Sequence, residues 1–129
     1  MTKKAWAGRF TAPTDQSLEE FGSSIGFDKR LYKQDIEGTR AYAKALVKAK
    51  VLKQAEYAQI SSALSKIEKD IADGKVKFSK QHEDVHMNIE MLLTEKVGEA
   101  GKKIHTGRSR NDQVVTDFRM YVRDRKSVV

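Results

Sequence analysis

The spacing of apolar residues constrains this chain most, because they recur at every third or fourth position. The clearest such stripe comprises Tyr32, Ile36, Thr39, Ala43, Leu46 and Val47. This spacing places side chains on one face of an α-helix. No segment shows the sustained period-two alternation of a half-buried strand. The sequence therefore predicts an all-α fold, with room for a small strand pair only in the N-terminal arm.

Capping residues and glycines divide the chain into elements. Residues 1–27 contain Gly8, Pro13, Gly22 and Gly26, which favour turns, so this segment is expected to form an irregular arm. The helical domain is expected over 28–123. Its first helix begins near Asp28, a good N-cap residue, and ends in a break near 50–54. Gly38 lies inside this helix and is expected to allow a close helix contact.

Three further helices are predicted after that break. The second covers about 55–73, the third covers about 83–97, and 102–109 form a polar loop. The last helix begins near 109–111. Its buried face is expected to consist of Val114, Val115, Phe118, Tyr121 and Val122.

Composition narrows the classes of partner and compartment. The 25 basic residues exceed the 18 acidic ones, for a formal net charge of +7. The basic residues are dispersed and are not interleaved with aromatic residues, so a solvated surface is predicted rather than a nucleic-acid site. No apolar run approaches the roughly 20 residues of a membrane span. No signal peptide and no cysteine are present, and together these features predict a cytoplasmic protein.

A histidine-rich segment offers a metal-binding interpretation. The segment His82-Glu83-Asp84-Val85-His86 satisfies the pattern H-E-x-x-H. On a helix, His82 and His86 would share a face and could bind zinc, with Glu83 as the general base. Asp84 places a second charge beside that base, and no histidine follows at the spacing of a metzincin. A polar helix start that holds a neighbouring loop is the simpler interpretation.

Another polar segment enters the last helix at Gly107-Arg108-Ser109-Arg110-Asn111. Unpaired backbone N–H groups and the positive end of a helix favour an anion at such a place. Arg108 and Arg110 could grip a carboxylate through paired hydrogen bonds. An ordinary capping loop, with Ser109 or Asn111 as the cap, explains the same residues equally well. The sequence by itself does not decide between an anion-binding site and a capping loop.

A further polar segment, which comes earlier in the chain, places Ser24 between Gly22 and Gly26. Small residues let the backbone and a serine hydroxyl approach a ligand closely. Taken by itself, this segment reads as a flexible loop that ends in a helix cap.

These three segments occur together, in the same chain order, in the argininosuccinate lyases and the related delta crystallins. In that order, the first polar segment contains Ser24, the second is 82–86 and the third is 107–111. The chain resembles that family from position 5 to about 123. The start Trp6-Ala7-Gly8-Arg9-Phe10 resembles the family's W-G-G-R-F, and 83–86 resemble its E-D-I-H block. Residues 105–117 match the family's most specific block almost residue for residue. The resemblance argues against the zinc interpretation.

The resemblance implies the N-terminal helical domain of the fumarase–aspartase superfamily. It implies cleavage of argininosuccinate to arginine and fumarate without a metal or other cofactor. It also implies a homotetramer whose active sites each combine three regions from different subunits. This chain would supply the first region, in which the implied substrate-binding residues are Ser24, His86, Thr106, Ser109, Arg110 and Asn111.

The family's catalytic histidine and serine correspond to positions beyond 129. No catalytic residue is therefore expected in this chain, which is expected to be an N-terminal fragment without lyase activity of its own. Residues 124–129 are expected to be a non-native tail, because adapter DNA encodes the same six residues. Two alternative functions are a non-catalytic, crystallin-like structural protein and a zinc hydrolase that uses His82 and His86.

Overall fold

The computed structural model describes residues 15–126, which form seven α-helices joined by turns. The family-like start at 6–10 and the tail residues 127–129 lie outside the described part. So do the first 14 residues of the arm, for which the sequence left room for a small strand pair. The helices are α1 (Gln16–Gly22), α2 (Ile25–Asp28), α3 (Tyr32–Lys48), α4 (Gln54–Ala72), α5 (Val85–Val97), α6 (Glu99–Lys102) and α7 (Arg110–Lys126). No strand occurs between 15 and 126, which confirms the all-α prediction. None of the helices described there is long and apolar enough to cross a lipid bilayer.

The core lies where α3, α4 and α5 pack against one another. Each of the three contributes an apolar stripe, and the stripe predicted for α3 faces this core. The buried residues shared among the three helices include Ile36, Ala43, Leu46, Ile60, Leu64, Ile67, Val85, Ile89 and Leu93. Full burial of one such aliphatic side chain contributes about 1.5–3 kcal/mol. The three helices therefore form the scaffold on which the polar segments are mounted.

Two short helices, α1 and α2, occupy most of 16–28, although the sequence predicts an irregular arm there. Asp15 starts α1 because its Oδ1 accepts a hydrogen bond from the Ser17 N–H at 2.8 Å. The first long helix begins at Tyr32 rather than at Asp28. Asp28 does not cap it, because its Oδ1 instead accepts from the Val85 N–H at 3.2 Å.

The third predicted helix begins at Val85, two residues later than expected, because Asp84 caps it. The Asp84 Oδ1 accepts a hydrogen bond from the Met87 N–H at 2.6 Å. The expected open loop at 102–109 is partly helical, since α6 is followed by a 3₁₀ turn at Lys103–His105. The last helix begins at Arg110, within the predicted range.

The predicted buried face of α7 is wrong. Val115, Phe118 and Val122 are 56%, 57% and 49% exposed, and the described residues buried on α7 are Gln113 and Asp117. The apolar residues do share a helical face, but that face points away from α3, on which α7 packs. Periodicity shows that a helix has an apolar face, and it does not show which neighbour that face meets.

Phe118→Ser should reduce self-association of the 129-residue chain without lowering its melting temperature. The reason is that contiguous exposed apolar side chains promote association, whereas an exposed side chain contributes little to the core. Sedimentation velocity and thermal unfolding would measure the two effects. Phe21→Ser is the matched control, since Phe21 is 90% exposed but lies on α1. Equal loss of association in both variants would contradict the assignment to α7.

Candidate functional site

The fold brings the first two polar segments into direct contact at the carbonyl of Glu83. This oxygen accepts hydrogen bonds from the backbone N–H groups of Ser24 and Ile25, at 2.9 and 3.0 Å. The Ser23 hydroxyl donates to the same oxygen at 3.2 Å. Three donors on one carbonyl fix the segment that carries Ser24 against the start of α5.

Glu83 itself has a left-handed backbone conformation, with φ 57° and ψ −56°. The Asp84 N–H donates to the His82 carbonyl at 2.5 Å, which closes a tight turn around Glu83. Such turns are strained for a residue other than glycine. The turn places His82 in a 3₁₀ turn and His86 in α5, so the two histidines do not share a helix face. The geometry required by the H-E-x-x-H zinc interpretation is therefore not formed.

The Ser24 hydroxyl is held by a buried acid. It donates to Asp28 Oδ2 at 2.6 Å, while Oδ1 of the same carboxyl accepts from the Val85 N–H. Burial raises the pKa of Asp28, and these two hydrogen bonds oppose the increase. Ser24, a predicted substrate-binding residue, thus has its side chain oriented by Asp28 and by the start of α5.

Arg110 connects the third polar segment to the second. Its Nη2 donates to Glu90 Oε2 at 2.9 Å and its Nη1 donates to Gln113 Oε1 at 2.6 Å. The Asp84 Oδ2 lies 3.9 Å from its Nε, and the His105 Nδ1 lies 3.7 Å from the same Glu90 oxygen. The guanidinium is therefore engaged with carboxylates and an amide of its own chain.

Arg108 also holds the loop rather than projecting from it. Its Nη1 donates to the Thr39 hydroxyl at 3.0 Å, and its guanidinium stacks over the Tyr42 ring at 5.1 Å from the centroid. The Tyr42 hydroxyl donates to the Thr106 carbonyl at 2.7 Å. These contacts fasten the loop before α7 to α3.

The first turn of α7 shows the capping arrangement that the sequence left open. The Ser109 Oγ accepts from the Asn111 N–H at 3.2 Å, and the Ser109 N–H donates to Asp112 Oδ2 at 3.0 Å. Ser109 and Asn111 are exposed, as is Thr106. The capping interpretation is confirmed, whereas anion binding at this helix start stays a prediction.

His86 lies inside the protein, in a polar cluster formed with Asp35 of α3 and with Gln113 and Asp117 of α7. Its Nδ1 is 2.9 Å from Asp35 Oδ1 and 3.2 Å from Asp117 Oδ2. The Gln113 Nε2 donates to Asp35 Oδ1 at 2.5 Å. All four residues are at most 4% exposed. The other three members were not predicted as site residues from the sequence, although polar residues at buried helix positions were the available signal.

The cluster shifts the pKa of each of its ionisable groups. Burial disfavours the charged form of His86, but contacts with Asp117 and Asp35 outweigh it and raise its pKa to about 9. Burial and the neighbouring Asp35 raise the pKa of Asp117 to about 6. Burial also opposes ionisation of Asp35, yet the bonds from His86 and Gln113 lower its pKa. At neutral pH, a charged imidazole therefore lies between the two aspartates.

The same three ionisable side chains are of types that bind divalent cations, and their donor atoms lie within 4.8 Å of one another. His86 Nδ1 is, however, hydrogen-bonded directly to Asp35 Oδ1 at 2.9 Å, and it lies at ion-pair distance, 3.2 Å, from Asp117 Oδ2. Asp35 Oδ2 and both Asp117 oxygens are buried without a hydrogen-bond partner. Retention of a proton by Asp117 up to about pH 6 lessens the cost of burying them.

A protein-family model and several curated relatives match most of this chain. A sequence model of the family described as lyase matches residues 8–129. The argininosuccinate lyase of Geobacter sulfurreducens is 57% identical over 122 residues, which are 95% of this chain and 27% of the relative. That of Heliobacterium mobile is 54% identical over 124 residues, or 96% and 27%. That of Acetivibrio thermocellus is 53% identical over 121 residues, or 94% and 26%. The chain thus spans about a quarter of the length of these curated relatives.

The stability of the chain should fall as pH rises from 6.5 to above 9. The folded-state pKa of His86, about 9, exceeds the ordinary value of 6.5. Its contribution is therefore fully present below 6.5 and is lost as pH rises through 9. Asp117 adds a decrease at lower pH, between its ordinary value of 3.8 and about 6. Urea unfolding across this range would measure the slope.

His86→Gln should flatten the slope between pH 6.5 and 9, since its side chain does not titrate. His82→Gln is the matched control, because His82 lies outside the cluster and should leave the slope intact. Stability that is constant over this window in the unmodified chain would contradict the charged state assigned to His86.

Proposed function

The chain belongs to the lyase family, and from that premise we propose that it forms the amino-terminal part of an argininosuccinate lyase. Such an enzyme splits argininosuccinate into arginine and fumarate. Identities of 53–57% along 94–96% of this chain support the proposal. The acid and the base of the reaction are proposed to come from the rest of the enzyme, so that this chain alone is inactive.

The observation that carries the proposal is the convergence of three polar segments on the scaffold of α3, α4 and α5. The Glu83 carbonyl joins the first segment to the second, and Arg110 joins the second to the third through Glu90. Hydroxyl, amide and guanidinium groups from distant parts of the sequence are thereby held in fixed positions. Such a set of donors suits a substrate that carries carboxylates.

We assign substrate contacts to Ser24 and Asn111, with Ser109 and Arg110 beside the carboxylates of the fumaryl part and Thr106 nearby. As a proton leaves the carbon next to a carboxylate, negative charge builds up on that carboxylate. Donors already in position stabilise this charge without reorganising. These residues therefore form a surface that binds the substrate carboxylates.

Arg110 and His86 take modified roles in this proposal. Because Arg110 is already bonded to Glu90 and Gln113, it supplies positive charge beside the carboxylates rather than a free pair of donors. His86 is 2% exposed and is hydrogen-bonded to Asp35, so it stabilises the carboxylate-binding surface from the protein interior and does not contact the substrate.

The proposed enzyme is a cytoplasmic homotetramer without nucleic-acid or membrane partners. The exposed apolar face of α7 supports the association, because Val115, Phe118 and Val122 are each about half exposed. Apolar faces of this kind are covered by other helices in assembled helical proteins.

Asn111→Ala, made in the longer protein that contains this segment, should lower kcat/KM for argininosuccinate by about 10- to 100-fold. A hydrogen bond to a charged group contributes about 1.5–3 kcal/mol, and about 1.4 kcal/mol corresponds to tenfold. Fumarate formation would be followed by its ultraviolet absorbance. Gln59→Ala is the control, since Gln59 is an exposed amide on α4.

Unaltered kinetics of Asn111→Ala would refute the role given to this residue. A folded longer protein that does not cleave argininosuccinate would overturn the proposed function as a whole. It would instead favour a non-catalytic, crystallin-like protein of the same family.

A further inference from the structure

The helix that carries Asn111 is attached to the rest of the protein in an unusual way. Within the described residues, α7 buries Gln113 and Asp117 and no apolar side chain. These two residues are four positions apart and therefore share one face, about 6 Å from each other along the helix axis. Polar contacts therefore attach α7 to the domain. Gln113 and Asp117 lie on its buried face, Arg110 donates to Glu90 of α5, and near its far end Asp124 accepts a hydrogen bond from Gln34 of α3 at 2.9 Å.

The Asp117 carboxyl packs against the backbone of α3 at Gly38, which has no side chain. A Cβ placed on Gly38 would lie 3.1 Å from Asp117 Oδ1 and 3.8 Å from Arg108 Nη2. The first distance is shorter than ordinary van der Waals contact, so a side chain at 38 would require the Asp117 carboxyl to shift by a few tenths of an ångström. This is the close helix contact that the sequence predicts for Gly38.

The contacts on the other side of Asp117 fix α7 in a second direction. His86 of α5 lies 3.2 Å from Asp117 Oδ2, and Gln113 donates to Asp35 of α3. Directional polar contacts specify one geometry, whereas an apolar face tolerates repacking. Together with Gly38, they set both the distance of α7 from α3 and its rotation.

Asn111 lies six residues before Asp117 on the same rigid helix, about 9 Å along the axis. We propose that Asp117 is a positioning residue, which holds the substrate-binding start of α7 in place by its contacts with Gly38 and His86. This inference rests on the proposed function and adds to it a residue that does not itself touch the substrate. A displacement at Asp117 is transmitted along α7 to Ser109 and Asn111.

The first test is Gly38→Ala in the longer protein, with the KM for argininosuccinate as the readout. We expect KM to rise at least about fivefold with a smaller change in kcat, because misplaced binding groups weaken substrate binding. Alanine is a better helix former than glycine, so helix propensity alone would favour the variant. Gln59→Ala is the control for an alanine substitution outside the site, since Gln59 is exposed on α4. An unchanged KM in Gly38→Ala overturns the proposal.

A double-mutant cycle tests whether the effect passes through Asp117. Asp117→Ser removes the oxygen that the new Cβ would meet, so Gly38→Ala combined with Asp117→Ser should raise KM by less than the product of the single effects. Asp117→Asn preserves the shape of the side chain and should raise KM less than Asp117→Ser does. Single effects that multiply, or an equal loss in Asn and Ser variants, would overturn the assignment.

Amide hydrogen exchange on the 129-residue chain separates this inference from the proposed function. Gly38→Ala should accelerate exchange of the N–H groups at 111–117 by about tenfold or more, while the exchange of α4 stays unchanged. Failure of the unmodified longer protein to cleave argininosuccinate would overturn the proposed function alone. Unchanged exchange at 111–117 would overturn the positioning of α7, whatever the activity.

Discussion

The contact of His86 with Asp35 and Asp117 is the interaction on which the arrangement of α7 depends. It joins one side chain each from α5, α3 and α7, at 2.9 and 3.2 Å, in surroundings that exclude water. Burying a charge costs several kcal/mol unless opposite charges and hydrogen bonds offset it. The charged imidazole is offset by the two carboxyl groups, and Asp35 is further bonded by Gln113. Removal of His86 would therefore leave two buried carboxyl groups without an opposite charge.

This cluster explains why a helix with an outward apolar face still docks on the domain. Arg108 and Tyr42 extend the polar attachment from α7 into the preceding loop, and Arg110 extends it to Glu90 of α5. The two arginines, which resemble carboxylate ligands in the sequence, serve first to build the loop that presents Ser109 and Asn111. A site of this kind is precise because its exposed groups are mounted on side chains that are themselves fixed.

The first polar segment is mounted in the same manner. The Ser24 hydroxyl is bonded to a buried acid, and the Glu83 carbonyl is directed at Ser23–Ile25 by a strained backbone turn. Strain of this type persists only where surrounding contacts determine the conformation. The proposed carboxylate-binding surface thus combines the segments that carry Ser24 and Ser109, which are more than 80 residues apart in the chain. Each segment is held by contacts within the domain.

The sequence by itself determined the helical class, the approximate extent of α3, α4 and α5, the start of α7 and the similarity to the lyases. These depend on local spacing and on the motif at 105–117. Only the tertiary structure decided that Gln113 and Asp117 form the buried face of α7, that His86 is enclosed, and that Arg110 is paired with Glu90. Periodicity and motif spacing are properties of one segment, whereas the choice of a buried face or an ionic partner depends on the other segments that meet it. The Gly38–Asp117 contact illustrates both contributions. The glycine in the sequence predicted a close helix contact, and only the tertiary structure identified Asp117 as the residue that makes it.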